Sequence, residues 1–401
     1  MIKIVIPHMP HDGQVFHRAV VPTLMLRHSK MASIGYYAPG QILNFPMAGD
    51  QSVMFLQMPS DLEVFLKYIH ITKRNNPKLR LWFDISDALW AADGPWQAGD
   101  FYKTIDFHKI LGLFDIVTTT TPYLAEAIKE KYGVEKVHVM PNYVAVPNEI
   151  KRSDDAKPFM WFGSVSHDDN LGILMDSLDD ELRPLVHFRG STSRYGIQEE
   201  VVLPHDMLSY IAHHCKEALV IPLKNTEFNS YRSAMKLAMA GILNLGVIMT
   251  KGVCKDAEGW PAIFVDDIAD GMRQWLAMSD KEKEKHKALI REHALKHTAD
   301  RPENVQHVAE IFGAVVPKRV RSGDCKLLGA HEHQCVGDPP TGHVVFAMPG
   351  ANFDLFEGKA TIEMKPGFVA SKLTWGDYDH WLQFAPYFLD GSVFGEQEHA
   401  E

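Results

Sequence analysis

The sequence predicts two doubly wound α/β domains with a β-rich appendage, and three observations carry that expectation. Short apolar runs alternate with amphipathic helical periods up to about residue 316. A polar stretch, "VPNEIKRSDDAKP", breaks the rhythm once, after which it restarts. Beyond Pro317 the helical period gives way to Gly, Pro and β-formers. Strands separated by single helices pair in parallel, so each half should be a sheet covered by helices. The expected boundaries are 1–148, a linker at 149–157, 158–300, a crossing helix at 301–317, and an appended segment at 318–401.

In the first half, "IKIVIP" reads as a strand and "SDLEVFLKYIHITKRNN" as a helix with Leu62, Phe65, Leu66 and Ile69 on one face. "LRLWFDIS" is a strand, "TIDFHKILGLF" a helix and "DIVTTTT" a strand. "PYLAEAIKEKYG" is a helix with Pro122 at its start and Gly133 at its end, where each is favoured. "VEKVHVMPN" closes this half as a strand.

The second half runs from strand "FMWFGS" through helix "DNLGILMDSLDDEL", strand "LVHFRGS", helix "DMLSYIAHHC" and strand "EALVIPL". Helix "NSYRSAMKLAMAGIL" and strands "GVIMT" and "AIFVDD" follow. Two helices come next, the second with Ser279 and Glu282 at capping-box spacing. A last helix is expected within 301–316.

Composition narrows the function. A chain of 401 residues exceeds one ordinary core. Its 46% hydrophobic and 23% charged content is that of a globular protein. A net charge of -10 argues against a broad polyanion-binding face. Cys215, Cys254, Cys325 and Cys335 form no disulfide framework, which suits a reducing cytoplasm. The N-terminus reads as a strand rather than a leader, and no apolar run is long enough to span a membrane.

The candidate chemistry sits at strand ends, because open parallel sheets bind ligands at their carboxyl edge. Asp84 and Asp87 appear as "LRLWFDISDALW" runs out of apolar residues. Such strand ends would line a cleft between the two domains. On local evidence Asp87 is better read as capping a turn, while Asp84 is equally placed to tether a backbone amide. In the second half, Gly163 and Ser164 open a small-residue loop suited to an anionic group at a helix N-terminus. Asn229 sits near the start of a helix on which Arg232 and Lys236 fall four residues apart, on one face. Two cations one turn apart suit a diphosphate, Arg as a fork and Lys as a point charge. His8, Arg18 and His167 lie in expected cleft-facing loops. In the tail, Cys325, His331, His333 and Cys335 could hold zinc, although their spacing is irregular for known modules.

These segments together resemble the GT-B glycosyltransferases, in particular the retaining group called family four, in its bacterial and phage branch. The resemblance rests on "DISDALW", "IVTTTTPYLAEAIKEKYGVEKVHVMPN", "GSVSHDDNL" and "PLKNTEFNSYRSAMKLAMAGILNLGVIM", in the family's order, and spans roughly residues 1–316. It implies two Rossmann-like domains facing a cleft. A nucleotide-diphosphate sugar, most simply a UDP-sugar, would be held in the C-terminal domain by Gly163, Ser164, His167, Asn229, Arg232 and Lys236. The acceptor would be held in the N-terminal domain by His8, Arg18 and Asp84. Transfer would retain configuration and need no metal or other cofactor, with Arg232 and Lys236 stabilising the leaving diphosphate and Asp84 or Asp87 orienting the acceptor hydroxyl. The acceptor would be a glycan, a lipid-linked sugar or a hydroxymethylated base of phage DNA, and the site of action the cytoplasm, a host's if the protein is phage-borne. The sequence departs from the family where its ribose-binding glutamate gives way to Met239, and its usual Gly and Pro to Asn244 and Gly246. A catalytically silent GT-B protein that binds a nucleotide or glycan is the alternative these departures suggest.

Overall fold

The computed structural model describes residues 2–6, 13–29, 31–36, 52–56, 62–75, 77–94, 107–146, 150–163, 167–190, 195, 197, 202, 204–314, 355–356 and 359–360. The first sheet has six strands in the order β2-β1-β3-β4-β5-β6. They are β1 (Ile2–Ile6), β2 (Ala32–Tyr36), β3 (Ser52–Leu56), β4 (Arg80–Ile85), β5 (Ile116–Thr119) and β6 (His138–Val139). The second sheet has five, in the order β11-β10-β9-β7-β8. These are β7 (Lys157–Gly163), β8 (Val186–Gly190), β9 (Cys215–Ile221), β10 (Gly246–Thr250) and β11 (Ile263–Val265). The registers given for both sheets are parallel. In the second sheet the chain winds one way from β7 to β8 and then the other way through β9, so its order reverses between β7 and β9. Two parallel sheets wound with helices are the architecture expected from the sequence.

Burial follows the pleat. In β4 every residue from Leu81 to Ile85 is buried, as a strand covered on both faces requires. In β7, Phe159 and Trp161 join one core with Leu171, Val220, Ile248 and Trp275. The alternate residues Met160 and Phe162 join another with Leu219, Val247, Leu237 and Ile290. Period-two alternation thus gives the second sheet two apolar faces, each needing a helical layer.

Helix α1 (Val21–His28) follows a π-helical turn at Phe16–Val20. α2 is Leu62–Asn75, α3 Phe107–Leu111 and α4 Pro122–Tyr132. α4 starts where Thr121 accepts from the Leu124 N–H and stops at Gly133, whose φ of 64° is in the left-handed region. α5 is Asp168–Ser177, α6 Met207–His214, α7 Glu227–Ser230 and α8 Met235–Ile242. α9 (Ile268–Ala277) precedes α10 (Asp280–Ala294), whose Ser279–Glu282 capping box is formed, and α11 is Pro302–Phe312. Strands β2 and β3 are not among the elements read from the sequence. In the tail, residues 355–356 pair antiparallel with 359–360. The zinc candidates Cys325, His331, His333 and Cys335 lie outside the described residues.

Asn244 and Gly246 each have a local structural reason. Asn244 follows α8 with φ 54°, in the left-handed region that Gly favours and Asn tolerates. At Gly246 a Cβ would lie 2.2 Å from the Trp275 ring, so no larger residue fits without displacing it.

The chain divides into two compact units, Met1–Asp84 with Leu113–Val117 and Val305–Glu401, and Ile85–Gly112 with Thr118–Asn304. These boundaries are not those read from the sequence. Within the first unit, α11 packs by Phe312 against Trp82, with ring centroids 4.7 Å apart. Within the second, the segment after β4 is tied to α7. Trp90 Nε1 donates to Glu227 at 2.7 Å, and the Asp93 carboxylate accepts from the N–H groups of Glu227 (2.9 Å) and Phe228 (3.1 Å).

Candidate functional site

The side chains expected to bind an anion converge on the carboxyl edge of the second sheet, at the point where its strand order reverses. β7 ends at Gly163, and α5 begins after His167, a buried residue. A Cβ on Gly163 would lie 2.9 Å from the Trp161 ring, and one on Gly190 would lie 2.9 Å from the Gly163 carbonyl oxygen. Glycine at both strand ends lets the two chains close over Trp161.

Arg232 Nη2 lies 3.2 Å from His167 Nε2, and its guanidinium sits 5.2 Å from the Phe228 ring centroid. Lys236, on the first turn of α8, donates to the Phe162 carbonyl at 2.6 Å and lies over the Phe162 ring. On the other side of His167, its Nδ1 faces Asn170 Nδ2 at 3.4 Å. Asn170 Oδ1 accepts from Lys224 N–H (2.8 Å) and from Asn229 Nδ2 (3.1 Å). Asn229 Nδ2 also donates to the Lys224 carbonyl, while the buried Asn229 Oδ1 has no hydrogen-bond partner.

The electrostatics are one-sided. Among the described residues no carboxylate pairs with Arg232, Lys236 or His167. Burial, then Arg232 and Lys236, hold His167 well below the usual imidazole range, so it is neutral near pH 7. A neutral imidazole has one acceptor nitrogen, yet both of its ring nitrogens face N–H donors. Burial, then Arg232 and Arg189, push the Lys236 ammonium down to about 7. Like charges crowded at the carboxyl edge of a parallel sheet give a positive potential there, which is chemically suited to an anion.

Gly163, His167, Asn229, Arg232 and Lys236 lie together at this edge. Ser164 and His8 lie outside the described residues. One local expectation is corrected. Arg232 is not on the helix of Lys236, because "NSYRSAMKLAMAGIL" breaks into α7 and α8 around Tyr231–Ala234. The Thr226 hydroxyl caps α7, and the Asp256 carboxylate takes the Ala234 N–H at 2.7 Å as α8 begins. Three-dimensional capping thus overrides a helical period that looked continuous.

A second correction concerns Asp84 and Arg18. They are not exposed to an acceptor but paired with each other: Arg18 Nε donates to both Asp84 oxygens at 3.1 and 3.0 Å, and Nη2 to Oδ1 at 2.8 Å. Their side chains are 1% and 2% exposed. The π-helical turn swings Arg18 inward, where it satisfies the charge at the end of β4. Asp87 lies half-buried at the bend after that strand. Met239 is buried in the core of the second unit. Sequence reasoning missed Asn170 and Arg189, although both follow the same strand-edge rule.

No protein-family model matches the sequence, and neither does any curated protein. Among solved structures, the chain is similar to a TarM variant of S. aureus in complex with fondaparinux, α-GlcNAc-glycerol and UDP. The identity is 12% and the TM-score 0.49, over 66% of this chain and 56% of that one, so this chain spans little more than half of TarM. It is also similar to an α-glucosyltransferase in complex with UDP-glucose and DNA containing an abasic site, at 9% identity and a TM-score of 0.49, over 74% and 95% of the two chains. A third structure is a putative UDP-N-acetylglucosamine 2-epimerase from Listeria monocytogenes, at 10% identity and a TM-score of 0.42, over 79% and 92%.

Proposed function

We propose that this chain is a GT-B glycosyltransferase that takes a sugar from a nucleotide-diphosphate donor, most simply a UDP-sugar, and passes it to an acceptor hydroxyl. The observation that carries the reading is the cluster of Arg232, Lys236 and His167 at the reversal point of the second sheet, with no carboxylate paired to any of the three among the described residues. The ordered sequence motifs support it. In this reading residues 158–300 hold the donor and residues 1–148 the acceptor, which is a glycan, a lipid-linked sugar or a hydroxymethylated DNA base.

The chemical problem is departure of a diphosphate from the anomeric carbon. Negative charge grows on the leaving oxygen, and preorganised cations lower that barrier because they need not reorganise as the charge appears. Arg232 offers a planar fork to two phosphate oxygens. Burial first, then Arg232 and Arg189, depress the proton affinity of Lys236, and an arriving anion favours its charged form. The side chains supply the positive charge for this step, and transfer proceeds with retention.

A second reading, a GT-B protein that binds a nucleotide or glycan without transferring sugar, is favoured by two observations. Asp84 is already occupied by Arg18, and Met239 stands in the core where the family has a carboxylate. Calorimetry with UDP and UDP-glucose, run beside an assay for UDP release, separates the readings. Binding with turnover supports the transferase, binding without hydrolysis or transfer across donors and acceptors supports the silent binder, and no binding of any nucleotide overturns both.

A further inference from the structure

The turn Tyr231–Ala234 carries one of the two site cations and leads into the other, and its own backbone bonds are the long ones from Tyr231 N–H to the Phe228 carbonyl (3.4 Å) and from Arg232 N–H to the Asn229 carbonyl (3.3 Å). Four contacts fix it from outside. Cys254 Sγ donates to the Arg232 carbonyl at 3.1 Å, and Asp256 Oδ2 accepts the Ala234 N–H at 2.7 Å. Lys255 Nζ lies 4.5 Å from the Tyr231 ring centroid, and Asn142 Nδ2 donates to Ser233 Oγ at 2.9 Å. Three successive residues, 254 to 256, thus grip three of the turn's four residues. Cys254 and Ala257 are buried, so this short loop is itself anchored in the core. The first N–H groups of a helix need outside acceptors, and α8 has no side-chain cap of its own at Ala234.

From this geometry we infer that Cys254 and Asp256 are positioning residues for anion binding, setting the backbone that aims Arg232 and Lys236 without touching the ligand. The inference rests on the diphosphate site proposed above. Asp256 is suited to the task because its hydrogen bond to Ala234 is formed within a mostly buried site, where an amide left unpaired is costly.

The test measures binding of inorganic pyrophosphate by calorimetry at one fixed pH, with melting temperature recorded for each protein. Asp256→Ala should weaken pyrophosphate at least fivefold. Asp256→Asn keeps an oxygen for the Ala234 N–H and should recover most of that loss. Cys254→Ala, a milder change, should weaken binding two- to threefold. Ser279→Ala removes the cap at the N-terminus of α10, away from the Ile290 and Ala294 end that packs on α8, and serves as a destabilised reference whose pyrophosphate affinity should stay at the wild-type value. If Asp256→Ala and Cys254→Ala melt earlier yet bind pyrophosphate as wild type does, the residues only stabilise the fold and the inference is wrong. If the wild-type protein itself does not bind pyrophosphate, the site reading fails and takes the inference with it.

Discussion

Each of the two sheets brings charged side chains to its carboxyl edge and handles them in opposite ways. At the end of β4 the Asp84 carboxylate meets Arg18 in a buried pair with three hydrogen-bond contacts. At the ends of β7 and β9, Arg232, Lys236 and His167 crowd together with no acid paired to them among the described residues. A charge compensated within the fold belongs to the structure. The like charges of Arg232, Arg189 and Lys236 raise the free energy of the empty protein, and a ligand of opposite sign lowers it.

The largest effect should come from breaking the compensated pair. Asp84→Ala leaves Arg18 buried without its partner and should cost about 3–5 kcal/mol of stability, read from urea unfolding. Replacing both, as Arg18→Met with Asp84→Leu, should restore most of it. If Asp84→Ala is as stable as wild type but loses transfer, the aspartate acts on substrate and the contrast between the sheets collapses.

At the uncompensated edge, Arg232→Ala should leave folding nearly unchanged while weakening a nucleoside diphosphate by about 1.5–3 kcal/mol, the value of a charge-assisted hydrogen bond. Affinity for the uncharged nucleoside should not move. Equal diphosphate affinity in the two proteins would place the anion elsewhere.

The pH dependence sharpens the same point. With Lys236 near 7 in the free protein, an anion favours its charged form, so affinity is full below about 7 and falls as pH rises. A nucleotide sugar, whose diphosphate does not titrate in this range, should bind about tenfold more weakly at pH 8 than at pH 6. For stability the sign runs the other way. The folded protein holds fewer protons than the unfolded chain between about 7 and the ordinary lysine value, so the cost of burying Lys236 is present at low pH and relieved as pH rises. A flat binding profile in calorimetry would remove Lys236 from the site.

The smallest effect should come from the rim. Lys224 pairs with Asp169 in a bridge whose side chains are 54% and 68% exposed. Lys224→Ala should change stability and nucleotide-sugar affinity by no more than about 1 kcal/mol. A loss as large as that of Arg232→Ala would show that proximity to the edge, rather than burial without a counter-charge, decides which cation matters.

The sequence by itself determined the winding of the second sheet, because each of its strands is a short apolar run bounded by a polar or glycine turn, and hydrophobic period is a local signal. It also offered Gly163, His167, Asn229, Arg232 and Lys236 as candidates for the anion site proposed above, since a parallel sheet presents the residues that follow its strands at one edge. Strands β2 ("ASIGY") and β3 ("SVMFL") escaped it. The partner of Asp84 lies 66 residues away in a π-helical turn, and no spacing rule reaches that far. The break between α7 and α8 is set by Asp256, 22 residues beyond the turn it caps. Whether a charge at a strand end serves the fold or a ligand was therefore decided only by tertiary structure, because the answer depends on which distant group arrives to neutralise it.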